Sequence, residues 1–157
     1  MSIEVRFGQN FSFALISRRL LNLAQATLSV IGQKYVEETK KNIVRKKLFQ
    51  NRSKRLYGSI KALPVSKTRV VIFGAGEDSE YGKYLEFGTK GPYVIRPKER
   101  EYLIIPTESG YIRKKKVIHP GIKARHYFFG NYEEKMRRAI EEGRNYFYNK
   151  VKEELSK

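Results

Sequence analysis

The sequence lacks cysteine altogether and has only two histidines among its 157 residues. Without cysteine there is no disulfide framework and no thiolate metal site, so we expect an intracellular or redox-indifferent setting. A zinc site built on His119 and His126 would need two further ligands from distant carboxylates. We therefore expect neither a metal nor any other cofactor.

Long apolar runs are also missing. The longest uncharged, apolar-leaning run covers residues 20–33 and is interrupted by Asn22, Gln25 and Gln33. A bilayer-spanning helix needs about 20 apolar residues, and the N-terminus lacks the basic-then-apolar pattern of a signal peptide. The sequence thus predicts no association with a membrane.

Acidic residues are scarce, with 16 Asp and Glu against 33 Lys and Arg, for a formal net charge of +17. Residues 39–76 and 109–132 contain none at all. Such segments repel themselves, which predicts a nearby anionic partner, either nucleic acid or an acidic protein; solvated basic faces are the alternative. The candidate residues that would face DNA or an acidic partner are Lys40, Lys41, Arg45, Lys46, Lys47, Arg52, Lys54, Arg55, Arg113, Lys114, Lys115 and Lys116.

Hydrophobic periodicity predicts a single α+β domain over residues 1–157. A long N-terminal helix should begin near Asn10 or Ser12 and continue toward Lys47, with Gly32 as its weakest point. About four to five short strands should then form an antiparallel sheet, including a hairpin of residues 59–65 and 70–73, with Pro64 at an edge. A C-terminal helix capped by Asn131 should pack with the first helix on one face of the sheet.

Catalytic patterns are mostly absent. Gly74 and Gly76 have no third glycine at Ser79, so the dinucleotide-binding fingerprint fails. Gly76 and Gly82-Lys83 are spaced one residue too far apart for a phosphate loop. The two histidines could still act with Lys123 or Tyr127 in a metal-independent ribonuclease. A turn histidine beside proline is the simpler interpretation, and we expect no enzyme.

Two segments that mix aromatics, glycine and isolated charges dominate the middle of the chain. The first, Tyr81-Gly82-Lys83-Tyr84-Leu85-Glu86-Phe87-Gly88-Thr89, resembles the Tyr-x-x-Tyr/Val-Glu-Phe-Gly-Thr signature of head–tail joining or tail-completion proteins of tailed bacteriophages. The second, His119-Pro120-Gly121-Ile122-Lys123-Ala124-Arg125, is similar to that family's His-Pro-Gly-x-Lys-Ala-Arg signature. The resemblance covers roughly residues 15–150.

Two further blocks add to the resemblance. Residues 95–98 with 103–106, and Ser53 to Ile60 upstream, are similar to family patterns in the same order. The chain departs from them at two positions. Lys54 stands where the upstream block usually has glycine, and His126 stands where proline commonly follows the arginine. We therefore expect a different turn at Lys54 and a different entry into the last helix.

The resemblance implies a non-enzymatic minor tail component of the phage neck. It would be a ring subunit, expected as a hexamer, between the head connector or adaptor and the tail tube or tail terminator protein. Viral duplex DNA would pass through the lumen, and the protein would lie in the virion neck after assembly in the host cytoplasm. A basic nucleic-acid-binding protein or small nuclease remains the alternative.

The two motif segments have two possible roles, contact between subunits or pinning of the fold. Gly88 could let the backbone approach a neighbour, and Glu86 could pair with Lys123 or Arg125 either across an interface or within one subunit. In the first case Glu86→Ala should damage assembly more than folding. The candidate residues for this motif are Tyr81, Tyr84, Glu86, Phe87, Gly88, Thr89, His119, Pro120, Gly121, Lys123 and Arg125.

Overall fold

The long N-terminal helix, α1, runs over Arg18–Arg45. The computed structural model describes residues 1–6, 18–49, 54–76 and 79–156, and for residues 154 and 155 the backbone alone. The predicted helix start near Asn10 or Ser12 and the candidate Arg52 therefore lie outside the described residues. The prediction of a long first helix is confirmed, and Gly32 does not interrupt it.

A three-stranded antiparallel sheet lies under α1. Its strands are β1 (Ser2–Arg6), β2 (Lys61–Ser66) and β3 (Arg69–Phe73), in the order β1-β3-β2. One helical turn, α2 (Arg55–Ser59), leads into β2. The predicted hairpin is confirmed, because β2 pairs antiparallel with β3. Pro64 lies on the edge strand β2, as predicted, next to an irregularity in the pairing with β3.

The second half of the chain contributes two helices and two small ribbons. The elements are α3 (Tyr81–Phe87), β4 (Tyr93–Ile95), β5 (Leu103–Thr107), β6 (Gly110–Lys114), β7 (Val117–His119) and α4 (Tyr132–Leu155). β4 pairs with β7, and β5 pairs with β6, both antiparallel. The α+β class is as predicted, but the strands divide into three separate sheets instead of one sheet of four to five.

Helix α1 forms the middle layer, with the three-stranded sheet on one side and α4 on the other. The neighbouring residues Gly32 and Ile31 of α1 show this, since Gly32 faces the sheet and Ile31 faces α4. A Cβ atom on Gly32 would lie 2.7 Å from Val70 Cγ1 of β3, so glycine lets the helix approach the sheet. A Cβ on Gly143 of α4 would lie 2.4 Å from Ile31 Cγ1. The glycine that weakens α1 as an isolated helix therefore permits its packing.

Both departures from the family pattern have left-handed backbone conformations. Lys54 has φ 56° and His126 has φ 47°. Glycine adopts this region without penalty, so the sharp turn expected of a glycine at position 54 is kept by a lysine. Proline is fixed near φ −65° and could not occupy position 126 in this conformation. The chain therefore enters α4 by a route that proline would not allow.

The C-terminal helix begins where predicted, after Asn131, but not by the predicted cap. Asn131 has φ 56° and its side chain makes no capping hydrogen bond. An N-cap residue normally has an extended backbone that aims its side chain at the first turn, and a left-handed residue does not. In the first turns of the helix, Glu134 pairs with Arg138 at 2.5 Å.

Candidate interaction site

The two motif segments lie against each other and are joined by backbone hydrogen bonds. Arg125 N–H donates to Leu85 O at 2.7 Å, and Thr89 N–H donates to Ile122 O at 2.9 Å. Ile122 N–H in turn donates to Thr89 Oγ1 at 2.8 Å. We call residues 81–89 together with 119–129 the clamp. These hydrogen bonds bring together the two ends of the intervening segment of about thirty residues.

Glu86 is the buried centre of the clamp, with an exposed fraction of 0%. Its carboxylate accepts hydrogen bonds from Phe128 N–H at 2.8 Å and from Phe129 N–H at 3.0 Å. Among the described residues it forms no ion pair with the exposed Lys123 or Arg125. The expectation of a charge pair within the subunit is wrong, since backbone N–H groups satisfy both carboxylate oxygens; a pair across an interface stays a prediction. Of the two alternatives, the geometry corresponds to pinning within the chain.

The carbonyl of Phe128 extends this network to both long helices. It accepts hydrogen bonds from Tyr35 Oη of α1 at 2.7 Å and from Lys135 Nζ of α4 at 2.5 Å. Lys135 Nζ also lies 3.3 Å from Thr39 Oγ1 and 4.8 Å from the ring centroid of Tyr35. A buried ammonium of this kind is tolerated when it is hydrogen-bonded and faces a π system. The clamp is therefore anchored on the helical layer.

Burial changes the acidity of the groups around Phe128. It lowers the pKa of Lys135 to about 8, because desolvation disfavours the ammonium, while the nearby Glu86 carboxylate acts in the opposite direction. Burial also raises the pKa of the Tyr35 hydroxyl well above its usual range. Both groups thus stay in the protonated form that donates to Phe128 O at neutral pH.

Lys135 was not among the residues singled out from the sequence. A signal was present, because Lys135 precedes the buried Ala139 and Gly143 by four and eight residues, on one helix face. A charged side chain is usually exposed, which hides this signal in the sequence. Ile140, whose apolar side chain would favour burial, is exposed instead.

Gly88 allows a close backbone approach, but inside the chain. It has φ 75°, and a Cβ atom there would lie 2.7 Å from Ile122 O. Only glycine combines this backbone conformation with such a short contact. The close approach seen at Gly88 is therefore within the chain, and approach to a neighbouring subunit stays a prediction.

Two of the groups proposed for a ribonuclease, His119 and Tyr127, make structural contacts, whereas His126 and Lys123 are exposed. His119 Nδ1 accepts a hydrogen bond from Gly121 N–H at 3.0 Å, and its ring stacks on Tyr93 at 5.0 Å. Tyr127 is buried, and its hydroxyl donates to Gly74 O at 2.7 Å. Neither His119 Nδ1 nor the Tyr127 hydroxyl is free to exchange protons with a substrate in this arrangement. Pro120 and Lys123 are exposed.

The outer side of the clamp carries exposed aromatic rings. Tyr84 and Phe87 on α3 are 52% and 61% exposed. Phe129 is also exposed, and its ring centroid lies 6.2 Å from that of Phe87. We call Tyr84, Phe87 and Phe129 the aromatic shelf; Tyr81 lies nearby on α3 and is exposed as well. Because the buried Glu86 carboxylate accepts a hydrogen bond from Phe129 N–H, the backbone that carries the Phe129 ring is fixed.

The hairpin of β5 and β6, which we call the hairpin arm, has a different character. Its two strands pair with each other. Among the described elements, neither strand packs extensively against any other helix or strand. On one side Ile104 stands opposite Arg113, and Pro106 stands opposite Tyr111. Ile104 is 50% exposed and Tyr111 is 76% exposed. The arm therefore presents apolar side chains that the fold leaves uncovered.

The two basic stretches differ in how their charges are met. In α1, Lys41 pairs with Glu37 at 2.5 Å, and Lys40 lies 5.1 Å from the ring centroid of Tyr57. Lys41 and Lys34 together lower the pKa of Glu37 below its usual value. The other described candidates of this stretch, all exposed, are Arg45, which donates to Asn42 Oδ1 at 3.2 Å, Lys46, Lys47, Lys54 and Arg55. Part of the charge of α1 is thus met within the helix.

At the base of the arm, one basic residue has an aromatic partner and the others form no ion pair among the described residues. Lys115 lies 5.7 Å from the ring centroid of Tyr102. Arg113, Lys114 and Lys116 are exposed and form no ion pair within the described part of the chain. Their charge is available to a partner.

Within the described ranges, no helix combines the length and apolarity that a bilayer crossing requires. No three His, Asp or Glu side chains of those ranges group together as ligands of a metal ion. Comparisons with protein-family models, with curated proteins and with solved structures found no match.

Proposed function

We propose that this chain is a non-enzymatic structural subunit of the neck of a tailed bacteriophage. It forms a ring around the DNA channel and joins the head connector to the tail. The observation that carries the proposal is the clamp. Two segments that resemble separate signatures of one phage family lie together as a single hydrogen-bonded unit with exposed aromatics outside.

The polar groups of the clamp support a scaffolding role. Glu86 and Tyr127 of the clamp, and Lys135 of the adjoining helix α4, are buried, and each is hydrogen-bonded inside the chain. A buried carboxylate in a catalytic site normally faces a cavity or a reacting group. Glu86 instead faces two backbone N–H groups, as expected of a residue that fixes chain geometry.

The uncovered surfaces support an assembly role. Monomeric proteins rarely expose large contiguous apolar areas, and those that do often use them for partners. The aromatic shelf and the hairpin arm both carry large side chains that remain at least one-third exposed. A neck subunit must contact neighbours on several sides, and such surfaces would be covered in the assembled ring.

One observation favours a second candidate function, a nucleic-acid-binding protein. Arg113, Lys114 and Lys116 are exposed and unpaired within the described residues, on a chain of net charge +17. Duplex DNA would be bound without sequence preference, and affinity would fall steeply as salt displaces the phosphate contacts. Binding of this kind would also be compatible with a ring whose lumen carries DNA.

The test is an in-frame deletion of this gene in the phage that encodes it. Electron microscopy of the lysate should show DNA-filled heads and separate tails, and a plasmid copy of the wild-type gene should restore joined particles. A plasmid copy encoding Gly58→Ala serves as a matched control, since this site leaves open space for a methyl group. Normally joined particles in the deletion strain would overturn the proposal.

A further inference from the structure

We infer that the hairpin arm of one subunit docks on the aromatic shelf of the next copy of this chain. The inference rests on the ring proposed above and names the two surfaces that would close it. Two different patches on one chain make a heterologous contact, and repeated heterologous contacts generate rings. The arm and the shelf belong to separate elements, β5–β6 for the arm, and α3 with the segment before α4 for the shelf.

The arm has the composition of an interface anchor. Tyr111, Arg113 and Ile104 lie on one side of the hairpin, because residues opposite each other in an antiparallel pair share a face. Tyrosine and arginine are among the residues most enriched at the energetic centres of protein interfaces. An isolated two-stranded hairpin is marginally stable in water, so docking on a surface would also order the arm.

The shelf is prepared to receive such a side. Phe87 and Phe129 are held in proximity by the clamp beneath them, so little order has to be gained on binding. Tyr84 lies one turn before Phe87 on the same exposed face of α3. Aromatic rings in this arrangement offer faces to the Tyr111 ring and to the Arg113 guanidinium.

Carboxylates at the two ends of the shelf give the cations of the arm partners on a second copy. The arm strand β6 carries Arg113 and Lys114 and no acidic residue. The exposed Glu80 lies just before α3, one turn before Tyr84, and the exposed Glu133 follows Phe129 by four residues, whereas the exposed Lys83 lies between them on α3. A guanidinium docked on the shelf would reach both a ring face and a carboxylate.

The salt dependence separates this contact from DNA binding. Two copies that each carry +17 repel at long range, so added salt should strengthen self-association by screening this repulsion. Binding of the same arm to DNA would weaken with added salt.

Cross-linking provides the direct test, because the wild-type chain has no cysteine. Tyr111→Cys and Phe87→Cys variants are purified separately, mixed, and treated with a short bifunctional maleimide. The expected product is a covalent dimer containing one of each variant. A mixture of Tyr111→Cys with Tyr148→Cys is the control, because Tyr148 is exposed on α4, away from the shelf. Equal cross-linking in the two mixtures would overturn the inference.

A mixing experiment tests the direction of the contact. Sedimentation velocity should show that Tyr111→Ala and Phe87→Ala each weaken self-association by about thirtyfold or more, as expected of interface anchors. Mixing the two variants should restore one intact contact per pair, giving dimers and no larger species. Circular dichroism of each variant, expected to match the wild type, excludes misfolding as the cause.

The outcomes distinguish this inference from the neck proposal. If both alanine variants still form the wild-type oligomer, the arm–shelf contact is wrong and the ring proposal stands. A wild-type chain that stays monomeric at every protein and salt concentration also contradicts the contact. Loss of DNA binding in Tyr111→Ala with unchanged self-association would assign the arm to DNA. Only joined particles in the gene deletion would overturn the neck role itself.

Discussion

The clamp and the hairpin arm come from the same third of the chain and look alike as sequence, yet they are opposites as structure. In the clamp, Glu86 and Phe128 are completely buried and their polar groups are hydrogen-bonded. In the arm, Tyr111 and Ile104 are at least half exposed. Among the described elements, the two strands of the arm pack extensively only against each other. Aromatics mixed with charges thus mark a buried network in one place and an uncovered surface in the other.

The difference assigns separate tasks to the two regions. Groups in the clamp are already satisfied inside the chain, so their loss should be measured mainly in folding stability. Groups in the arm have little to lose in the isolated subunit, so their loss should be measured mainly in assembly. Stability measurements on the purified chain can therefore break or sharpen the comparison.

The largest effect is expected for Glu86→Ala. Removing the carboxylate leaves Phe128 N–H and Phe129 N–H unpaired in a buried site and leaves a cavity, which should lower the free energy of unfolding by about 3–5 kcal/mol. Urea denaturation followed by circular dichroism measures this. Glu80→Ala, an exposed glutamate at the start of the same helix, is the control and should cost less than about 0.5 kcal/mol.

This expectation reverses the one that an interface role would give. If Glu86 acted between subunits, assembly would suffer more than folding. A Glu86→Ala variant that is as stable as Glu80→Ala but unable to assemble would show that Glu86 acts between subunits. The clamp would then no longer differ from the arm in its task.

A second large effect is expected for Gly88→Ala. The variant would place a methyl group 2.7 Å from Ile122 O on a backbone with φ 75°, so unfolding free energy should fall by about 2–3 kcal/mol. Gly58→Ala is the matched control. Gly58 lies in the short helix α2 with no heavy atom within 4 Å of the added methyl. There alanine should be neutral or stabilising by up to about 1 kcal/mol, and similar losses at both sites would contradict the clamp geometry.

The buried ammonium of Lys135 should make clamp stability depend on pH. Its folded pKa of about 8 lies below the ordinary value of 10.5. Between these values the unfolded chain binds more protons than the folded chain, so stability should rise with pH. The effect should be on the order of 2 kcal/mol, and it should be constant below the window.

Comparison with Lys135→Met isolates this contribution from other titrating groups. The difference in unfolding free energy, wild type minus variant, should increase as pH is raised from 8 to 10.5. A difference that falls over this range would show that the ammonium is stabilised by its partners, and that burial does not dominate.

The parts of the fold that could be predicted are those that depend on local sequence patterns. The hydrophobic periodicity of α1 and the hairpin of β2 with β3 involve residues close together in sequence. The pairing of β4 with β7 and the hydrogen bond from Arg125 N–H to Leu85 O each join residues that are distant in sequence. The hydrophobic periodicity of a segment predicts its local structure, but it does not predict contacts between segments that are distant in sequence.

The two motif segments do contact each other, but the chemistry that joins them was not predicted. The two motif segments were recognised as belonging together, yet the partners of Glu86 are backbone N–H groups 42 and 43 residues away. Backbone donors are present at nearly every residue, so sequence favours a visible cation such as Arg125 instead. Lys135 was missed for the related reason that a charge predicts exposure unless its partners are known.

The smallest effect on stability is expected in the arm, and it tests the other half of the comparison. Tyr111→Ala removes a ring that is 76% exposed, so the free energy of unfolding should change by less than about 0.5 kcal/mol. Ile72→Ala, at a fully buried position of β3, is the reference and should cost about 2–4 kcal/mol. If Tyr111→Ala cost as much as Ile72→Ala, the arm would be packed against the subunit in solution. Its exposed side would then be part of the fold, and the shelf of the next copy would have no arm to receive.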